Sequence, residues 1–535
     1  MVNNIIVTTA LCYSNGPLHL GHMLEQIQAD IWVRFLRTQN RNCIFLSGED
    51  AHGTPIMLAA KKKGVATEDY IKTIKEDHLR DIQGFQISFD HYHSTHSEEN
   101  KAICEAIYAR IPEYIEKRSI DQYFDEQEGM FLPDRFIKGT CPKCHAQSQY
   151  GDSCEQCGSH YSPTELIDPV STLSNTKPII KQSEHLFFKL SKQQSVIKDW
   201  LLHADMQPEA KNKLSEWTDE PLRDWDISRD APYFGFKIPE YDNKFFYVWL
   251  DAPIGYIGTL SSFCQQNNES LESLWWEKTQ SEIYHFVGKD ILYFHGIFWP
   301  AVLSAAGIQT PSGIFSHGFL TVNKEKMSKS KGTFITAKDY LSVYPSDALR
   351  YYFASKINAS IEDIDIHWED FAYKVNSDVV GKIVNIGSRC AQILVKHFDG
   401  HLTIQNSGHT LLDQMNSLFE TIEDGYHKRM FNQVTKTIAH FADLTNQHIA
   451  EIAPWQLIKN GDRDAAQHTC SLGVIIFAQL IAFLSPIMPH LAQQTFDYLS
   501  VPLDWRVSLP TDLQLTSFPR LFERIDPSKI KDLCQ

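Results

Sequence analysis

One stretch decides the fold of this chain: Asn4-Ile5-Ile6-Val7-Thr8-Thr9-Ala10, followed shortly by Pro17-Leu18-His19-Leu20-Gly21-His22. The first segment is apolar and β-branched, which predicts a short buried strand. Turn-forming residues follow, and from Leu20 the apolar residues recur on one helix face, at positions 20, 23, 24, 27, 31 and 35. A helix entered through glycine directs backbone N–H groups toward an anion. His19 and His22 share a face of its first turn, so the stretch alone indicates either a phosphate site or a structural pair of surface histidines.

The composition is that of an ordinary soluble globular protein. The chain has 535 residues, 43% of them hydrophobic and 22% charged, a length that predicts about three or four domains. Strand-like sequence follows Met1 directly, so we expect no secretory signal. The longest apolar run, 472–484, contains Gly473 and Gln479 and is too short to cross a bilayer, which predicts a buried helix.

The net charge argues against a protein that coats nucleic acid, because the formal value is −16. The negative net charge does not exclude local basic surfaces that bind nucleic acid, although each run of basic residues could equally be a solvated face. The three candidates are Lys61-Lys62-Lys63, the set Lys324, Lys326, Lys329 and Lys331, and a helix bearing Lys374, Lys382, Arg389 and Lys396.

Four of the eleven cysteines form two Cys-x-x-Cys motifs separated by nine residues, namely Cys141, Cys144, Cys154 and Cys157. Four thiolates at this spacing predict a single structural Zn²⁺ ion, since a closed four-sulfur shell leaves no position open for substrate. A redox pair would need only one motif. The other cysteines are scattered without framework spacing, which is typical of the reducing cytosol and predicts a cytoplasmic protein.

The order of predicted elements divides the chain into an interrupted sheet and a helical region. Alternating strands and helices in 1–114 and 231–322 predict two halves of one Rossmann-like parallel sheet. Residues 115–230 break that alternation and form a connective insertion, which holds the cysteine motifs in 139–160. We expect a strand at 244–250, a third strand of the second half at 317–322, and no strands beyond about 350. An all-α bundle follows, with one amphipathic helix over 378–396.

Read together, His19-Leu-Gly-His22 and Lys326-Met-Ser-Lys-Ser330 resemble the two signatures of class I aminoacyl-tRNA synthetases, each after the expected strand. Further segments look like the methionyl-tRNA synthetases of the bacterial type: Gly48-Glu-Asp-Ala-His-Gly-Thr-Pro55, Trp225-Asp-Ile-Ser-Arg-Asp-Ala-Pro-Tyr-Phe-Gly235, Tyr247-Val-Trp-Leu-Asp-Ala-Pro-Ile-Gly-Tyr256 and the cysteine motifs. The resemblance covers essentially the whole chain. It implies that 323–374 holds the lysine signature and a stem-contact region, and that 375–535 binds the anticodon.

The resemblance implies a ligase that activates methionine with ATP and Mg²⁺ and then transfers it to tRNA(Met). It assigns catalytic roles to His19, His22, Lys326 and Lys329. ATP binding would involve His19, Gly21, His22, Gly288, Asp290 and Lys329. Methionine would contact Leu11, Tyr13, Asp50, Trp249, Ala252, Pro253, Tyr256, Ile291, His295 and Trp299, with Asp50 holding the α-amino group.

The same resemblance marks Asn385, Arg389 and Trp455 as anticodon readers. Asn385 and Arg389 are four residues apart and therefore share a helix face, while an indole after Pro454 can stack on an unpaired base, although without the resemblance Trp455 would be taken as a core residue. We expect a monomer in this form, or a homodimer if a C-terminal domain is missing. Three other readings stay open: a synthetase for cysteine or leucine, a nucleotidylyltransferase that uses His-x-Gly-His without tRNA, and an inactive tRNA-binding paralogue.

Overall fold

A computed structural model describes residues 4–151, 154, 156, 157, 159, 161–276, 281–326, 334–403, 410–510 and 512–532, the side chains of 325, 326, 531 and 532 excepted. Within these residues the strands are β1 Ile5–Thr9, β2 Cys12–Tyr13, β3 Cys43–Asp50, β4 His91–Ser94, β5 Ile115–Asp125, β6 Met130–Phe131, β7 Ile137–Thr140, β8 Gln149–Tyr150, β9 Ile167–Ser171, β10 Ile179–Phe188, β11 Trp225–Asp226, β12 Ser228–Asp230, β13 Lys244–Phe246, β14 Glu282–Gly288, β15 Gly313–His317, β16 Leu320–Val322, β17 Glu325–Lys326 and β18 Ile364–Ile366.

The α-helices of the described residues are α1 Leu20–Thr38, α2 Thr54–Lys63, α3 Thr67–Gly84, α4 Glu98–Arg110, α5 Gln194–His203, α6 Pro208–Asp219, α7 Val248–Asn267, α8 Leu271–Trp275, α9 Trp299–Ala305, α10 Ala337–Val343, α11 Ser346–Lys356, α12 Trp368–Lys374, α13 Asn385–Phe398, α14 Thr410–His427, α15 Phe431–Ile452, α16 Pro454–Asn460, α17 Arg463–Leu484 and α18 Pro489–Leu499. Two π-helical segments, Phe294–Phe298 and Val375–Val384, run directly into α9 and α13.

The central sheet is parallel and is assembled from both halves of the chain, as predicted. Its order is β15-β14-β1-β3-β2, and β4 also pairs with β3. All five residues of β1 are buried, which explains its continuous apolar sequence. Ile5 and Val7 face α1 and the helical region, whereas Ile6 faces the core beneath α4, α7 and α9. The sheet is therefore covered on both faces.

Helix α1 begins at the histidine signature. The six positions with helical spacing are all buried: Leu20, Met23, Leu24, Ile27, Ile31 and Phe35. His19 caps the helix, because its side chain accepts the N–H of Gly21 and its own N–H is donated to the side chain of His22. The sequence thus places both signature histidines at the N-terminus of a helix whose apolar face holds it against the sheet.

The connective insertion is antiparallel and has a small core of its own. Strands β5 and β10 pair over ten residues of each strand, and β7 lies between β8 and β9 in a separate three-stranded sheet. The small core contains Tyr123, Leu132, Ile137 and Leu166. Antiparallel hairpins need no helical crossovers, which is why the alternating pattern is lost in this part of the sequence.

Three expectations about strands are wrong. The third strand of the second half, expected at 317–322, is β15, which ends at His317, and Leu320–Val322 is a strand of a separate sheet. The strand expected at 244–250 ends at Phe246, and Val248 already belongs to α7. The N–H of Val248 is donated to the Tyr233 hydroxyl at 3.0 Å, a long-range contact that satisfies one free donor at the start of the helix. Strands also do not stop at about 350, because β18 pairs in parallel with β16.

The C-terminal region is a helical bundle, and the predicted helix over 378–396 is part of one continuous helical run from α12 through α13. Among the described residues, α17 is long and apolar enough to cross a membrane by length and composition. However, 83% of its most apolar window is buried inside the fold. Burial of this kind is what a core helix shows, in agreement with the buried helix expected there.

Candidate active site

Two adjoining cavities lie beyond the carboxyl ends of β1, β3 and β14. Their volumes are about 690 Å³ and 440 Å³, and Ala10, Leu11, Tyr13 and Ile291 line both. This edge is where open parallel sheets bind their ligands. We call the larger space the aromatic cavity and the smaller one the histidine cavity.

The histidine cavity is lined by five of the residues expected at ATP: His19, Gly21, His22, Gly288 and Asp290. The rings of His19 and His22 stack with centroids 3.8 Å apart. His19 Nδ1 accepts the Gly21 N–H at 3.1 Å, and His22 Nδ1 accepts the His19 N–H at 3.2 Å. Because both Nδ1 atoms accept, each neutral ring carries its proton on Nε2. Burial, reinforced by the neighbouring His19, holds the pKa of His22 well below its ordinary value.

Gly288 and Asp290 form a tight approach at the end of β14. A Cβ atom placed on Gly288 would lie 2.5 Å from Asp290 Oδ1, so a side chain at this position would displace the carboxylate from the cavity wall. Glu25, which the sequence did not single out, also lines this cavity. It accepts the Ala10 N–H at 2.7 Å and contacts His317 Nε2 at 3.2 Å.

The aromatic cavity brings together nine of the ten residues expected at methionine, namely Leu11, Tyr13, Asp50, Trp249, Ala252, Pro253, Tyr256, Ile291 and His295. The indole of Trp249 stacks on Phe294 at 3.8 Å. Trp299 lies behind this wall, fully buried, and donates its Nε1–H to His285 Nε2 at 3.2 Å. The tenth residue therefore supports the cavity from the core.

His295 is held in one protonation state by two neighbours. Its Nδ1 donates to the Ile291 carbonyl oxygen at 3.0 Å, so Nε2 accepts the Tyr256 hydroxyl proton at 2.8 Å. Burial lowers the pKa of His295 to about 4. This wall carries little charge, because the imidazole is neutral and the Tyr256 hydroxyl already donates its proton to it. Such a wall suits an apolar ligand.

Asp50 is the one acidic residue among the nine expected methionine contacts that line the aromatic cavity. Its Oδ1 atom is buried and has no hydrogen-bond partner within the described part of the chain. Burial and the nearby Asp251 carboxylate raise the pKa of Asp50 well above its ordinary value. A buried carboxylate oxygen without a donor is costly, and an ammonium group in the cavity would remove that cost.

Part of the aromatic cavity is walled by the connective insertion and by the hairpin β12–β13. The lining residues from these elements and the turns beside them include Gln122, Phe131, Leu132, Pro133, Asp134, Arg135, Phe136, His185, Arg229 and Asp230. The Arg229 guanidinium lies 3.4 Å from the centroid of the Tyr247 ring and 2.8 Å from Asp226 Oδ2. Arg229 falls inside the quoted segment beginning at Trp225, so the sequence carries a signal for this residue.

The four cysteines of the insertion converge as predicted. Their sulfur atoms all lie within 4.8 Å of one another. Cys141 Sγ and Cys157 Sγ are 3.9 Å apart, and Cys144 Sγ and Cys154 Sγ are 3.5 Å apart. A tetrahedral zinc site with Zn–S bonds of about 2.3 Å requires sulfur–sulfur separations of about 3.8 Å. The cluster therefore fits one Zn²⁺ ion.

Comparison with known proteins identifies the family. The model described as "tRNA synthetases class I (M)" matches residues 5–391, which is more than half of the chain. The chain belongs to this family. A second model, the anticodon-binding domain of tRNA ligases, matches residues 409–524.

Two solved structures of Mycobacterium tuberculosis methionyl-tRNA synthetase with methionyl-adenylate have the same fold as this class I synthetase. The match to the first structure has a TM-score of 0.80 and covers 98% of this chain and 100% of the solved chain. The second has a TM-score of 0.79 and covers 97% and 100%. Both are 22% identical to this chain.

The lysine signature of this synthetase lies largely outside the described residues, which exclude 327–333 and the side chain of Lys326. The expected roles of Lys326 and Lys329 therefore stay predictions. The chain just after the signature is described and touches the histidine segment directly. The N–H of Leu20 is donated to the Ile335 carbonyl at 3.2 Å, the N–H of Ala337 is donated to the Leu18 carbonyl at 2.9 Å, and the Phe334 ring contacts His19 edge-on at 5.2 Å.

On the helical region of the synthetase, the three expected anticodon readers lie near one another. The Arg389 guanidinium lies 5.1 Å from the centroid of the Trp455 ring. Asn385 donates to Asn446 Oδ1 at 3.2 Å, and Asn446 in turn donates to the Lys382 carbonyl at 3.0 Å. Trp455 is 37% exposed, which leaves part of the indole available for stacking.

Proposed function

We propose that this chain is a methionine–tRNA ligase, acting as a cytoplasmic monomer with tRNA(Met), ATP and methionine as its partners. The supporting observation is the pairing of the two cavities. An apolar, aromatic space containing one unpartnered carboxylate oxygen opens directly onto a space lined by two neutral imidazoles. Family membership and the methionyl-adenylate complexes of the similar structures support the same conclusion.

In the first step, a methionine carboxylate oxygen attacks the α-phosphorus of ATP, and the bond to the bridging α–β oxygen breaks to release pyrophosphate. The nucleophile is already an anion, so the protein needs no general base. Its contribution is alignment and stabilisation of charge. In this proposal the Nε2–H groups of His19 and His22 donate to the phosphate oxygens, and Lys326 and Lys329 neutralise the transition state together with the Mg²⁺ that accompanies ATP.

Methionine would be selected by shape, polarizability and one charge. Its unbranched thioether fits an irregular aromatic wall, where sulfur gains from nearby rings. Leu11, Tyr13, Trp249, Ala252, Pro253, Tyr256, Ile291 and His295 would supply that wall, supported from behind by Trp299. The Asp50 carboxylate would bind the α-ammonium group.

In the second step, the methionyl group passes to a hydroxyl of the 3′-terminal adenosine of tRNA, and AMP leaves. We assign the sheet halves 1–114 and 231–322 to catalysis and the insertion 115–230 to a zinc-stabilised connective domain. The segment 323–374 would carry the lysine signature and contact the tRNA stem. The region 375–535 would read the anticodon through Asn385, Arg389 and Trp455. Cys141, Cys144, Cys154 and Cys157 would hold the zinc, which takes no part in the reaction.

Exchange of labelled pyrophosphate into ATP, measured with each proteinogenic amino acid in turn, tests this proposal. Methionine alone should support exchange. Exchange with cysteine or leucine would indicate a different class I synthetase, and exchange without any amino acid would indicate a nucleotidylyltransferase. A folded protein that binds tRNA but supports no exchange would be an inactive paralogue.

A further inference from the structure

Behind the histidine cavity, the His78 side chain on α3 is fully buried with an acceptor at each ring nitrogen. Nδ1 lies 2.9 Å from Glu49 Oε1 and 3.1 Å from Oε2, and Nε2 lies 2.7 Å from the Gly16 carbonyl oxygen. A carbonyl oxygen and an ionised carboxylate only accept hydrogen bonds, so both nitrogens must carry protons for both contacts to form. His78 is therefore a buried imidazolium.

Glu49 is the counter-ion of this imidazolium, and it accepts from two further donors. The Ser14 hydroxyl donates to Oε2 at 2.6 Å, and the Tyr92 hydroxyl donates to Oε1 at 2.5 Å. Glu49 is 1% exposed. A buried carboxylate that accepts hydrogen bonds from a cation and two hydroxyl groups is fully satisfied and fixed in orientation.

The Glu49–His78 pair holds the segment 14–18, which leads directly into the histidine signature. Glu49 binds the side chain of Ser14, and His78 binds the carbonyl of Gly16. Between them, the Asn15 carbonyl accepts the Tyr70 hydroxyl at 3.0 Å. Three consecutive residues are thus tied to buried side chains, and His19 follows three residues later.

The charge of His78 also bears on His22. Burial lowers the pKa of His22, and the neighbouring His19 and His78 lower it further. His22 must be neutral at Nδ1 to accept the His19 N–H. A positive charge on His78 therefore favours the form of His22 that presents Nε2–H to the cavity.

We propose that the Glu49–His78 pair is a positioning unit for ATP, which fixes 14–18 so that His19 and His22 present their Nε2–H groups to the phosphates. This inference rests on the proposed adenylation function. Neither member is among the described residues that line the two cavities, so the pair acts through the loop. The titratable and charged side chains that face the pair are Cys12, His22, Asp50, Lys75, Asp81 and Tyr92.

The unit has a predictable dependence on pH. Burial alone would lower the pKa of His78, but the hydrogen bond and charge of Glu49 outweigh it, and the pKa lies above its ordinary value. The imidazolium is present below that raised pKa and is lost as the pH rises through it. His78 then loses the proton on Nε2 or on Nδ1, and the hydrogen bond from that nitrogen is lost. The segment 14–18 is held less firmly as a result.

Methionine-dependent pyrophosphate exchange between about pH 6 and pH 9 tests the unit in wild type, His78→Gln and Glu49→Gln. We expect His78→Gln to raise the KM for ATP at least ~10-fold at the acid end, the scale of one charge-assisted hydrogen bond, while the KM for methionine stays within about twofold. The difference from wild type should shrink as the pH rises, because wild type loses the same contact. The ratio of variant to wild type cancels the titration of ATP itself.

The double variant and a matched control separate positioning from stability. The two residues act as one unit, so their effects should not add. The KM for ATP of the double variant, His78→Gln with Glu49→Gln, should lie within about twofold of the value for the more severe single variant. His91→Gln is the control, since His91 is half-buried on β4 and contacts Ser262 at 3.1 Å. It should leave the KM for ATP unchanged.

Equal increases in both KM values, additive effects of the two substitutions, or a ratio that does not vary with pH would overturn the inference. If His78→Gln does not fold, the same criteria are applied to Glu49→Gln and to the pH profile of the wild-type KM for ATP. Calorimetric titration with ATP gives an independent readout. Normal, pH-dependent ATP binding without methionine-dependent exchange would overturn the proposed function and leave the positioning unit standing.

Discussion

We propose that Asp50 gives the aromatic cavity its preference for a ligand that carries an ammonium group. It is the acidic residue at the end of β3, and its Oδ1 faces no donor within the described residues. Burial and the Asp251 carboxylate raise its pKa, so the ionised form is unfavourable until a cation arrives. A ligand that carries an ammonium group would recover that free energy on binding, whereas a neutral analogue would not.

Substitution Asp50→Asn keeps the shape of this side chain and removes its charge. We expect the KM for methionine in pyrophosphate exchange to rise at least ~10-fold, the scale of one hydrogen bond to a charged group. The KM for ATP should stay within about twofold. A parallel rise in both constants would show that Asp50 supports the fold of the site and does not bind the amino acid.

His295 should make stability depend on pH in a known direction. Its pKa in the folded protein is lowered to about 4, against about 6.5 in an unfolded chain. The neutral His295 contributes fully to stability above about pH 6.5, and this contribution is lost as the pH falls toward 4. At pH 5 the free energy of unfolding should be lower by about 2 kcal/mol for this reason.

The melting temperature gap between wild type and His295→Gln should therefore be smaller at about pH 5 than at about pH 7. Differential scanning calorimetry at the two pH values measures this gap. Tyr256→Phe keeps the histidine and serves as the control, whose gap should change less. A gap that is the same at both pH values would mean that His295 is not held neutral.

Residue-level prediction from sequence worked where a motif fixed the position and failed where distant partners meet. Nine residues expected at methionine line one cavity, where residues that follow strands of the central sheet meet the first turns of α7. Glu25 was missed, since a glutamate on a helix resembles a solvated residue, and its partner His317 lies 292 positions away. Trp299 was placed at the ligand, although its indole N–H is committed to His285 in the core.

At the scale of elements, the cysteine-bearing strands and turns form a unit that a metal would complete. Metal analysis should find one equivalent of zinc in the wild-type protein, and Cys154→Ala should lose most of it, because three sulfurs do not close a tetrahedral shell. Cys104→Ala, at a buried cysteine of α4, is the control and should keep its zinc. Zinc retained by Cys154→Ala would contradict the proposed ligand set.

The helix pair α13 and α16 carries the proposed anticodon surface. Trp455→Ala should reduce aminoacylation of tRNA by about 10- to 100-fold, the scale of one lost base-stacking contact, while pyrophosphate exchange stays nearly unchanged. Leu503→Ala, which is exposed to a similar extent at 38%, should affect neither assay. Equal loss in both assays would mean that Trp455 is structural.

The type and bounds of helices and strands were predicted well where one hydrophobic periodicity continued without interruption. Helix α1 begins and faces the core as its apolar spacing indicates. The boundary between β13 and α7 was misplaced, because Phe245 through Leu250 is aromatic and apolar throughout and shows neither period. The long-range contact between the Val248 N–H and the Tyr233 hydroxyl lies where the helix begins.

At the scale of the molecule, a buried ion pair joins the sheet domain to the helical region. Arg350 on α11 contacts Asp30 on α1 at 2.6 Å, and both side chains are fully buried. The same guanidinium donates to the carbonyls of Ile487 at 2.8 Å and Phe85 at 3.2 Å. No sequence period links these residues, which is why the contact could not be predicted.

Arg350→Leu should lower the free energy of unfolding by at least ~2 kcal/mol, because it removes the donor to the buried carbonyl oxygens of Ile487 and Phe85 and leaves Arg34 as the remaining cation at Asp30. Thermal unfolding measures the loss as a lower melting temperature. Arg80→Leu, which removes an exposed ion pair with Asp77 at 2.7 Å, should cost no more than about 1 kcal/mol. Similar effects of the two substitutions would contradict a structural role for the buried pair.

The central claim is that the paired cavities join methionine to the α-phosphate of ATP. Incubation with methionine, ATP, Mg²⁺ and pyrophosphatase, followed by rapid gel filtration and mass spectrometry of the bound fraction, tests it most directly. Stoichiometric methionyl-adenylate on the wild-type chain is the expected result, with far less on Asp50→Asn. An adenylate of another amino acid, or AMP release with no bound adenylate, would contradict the account.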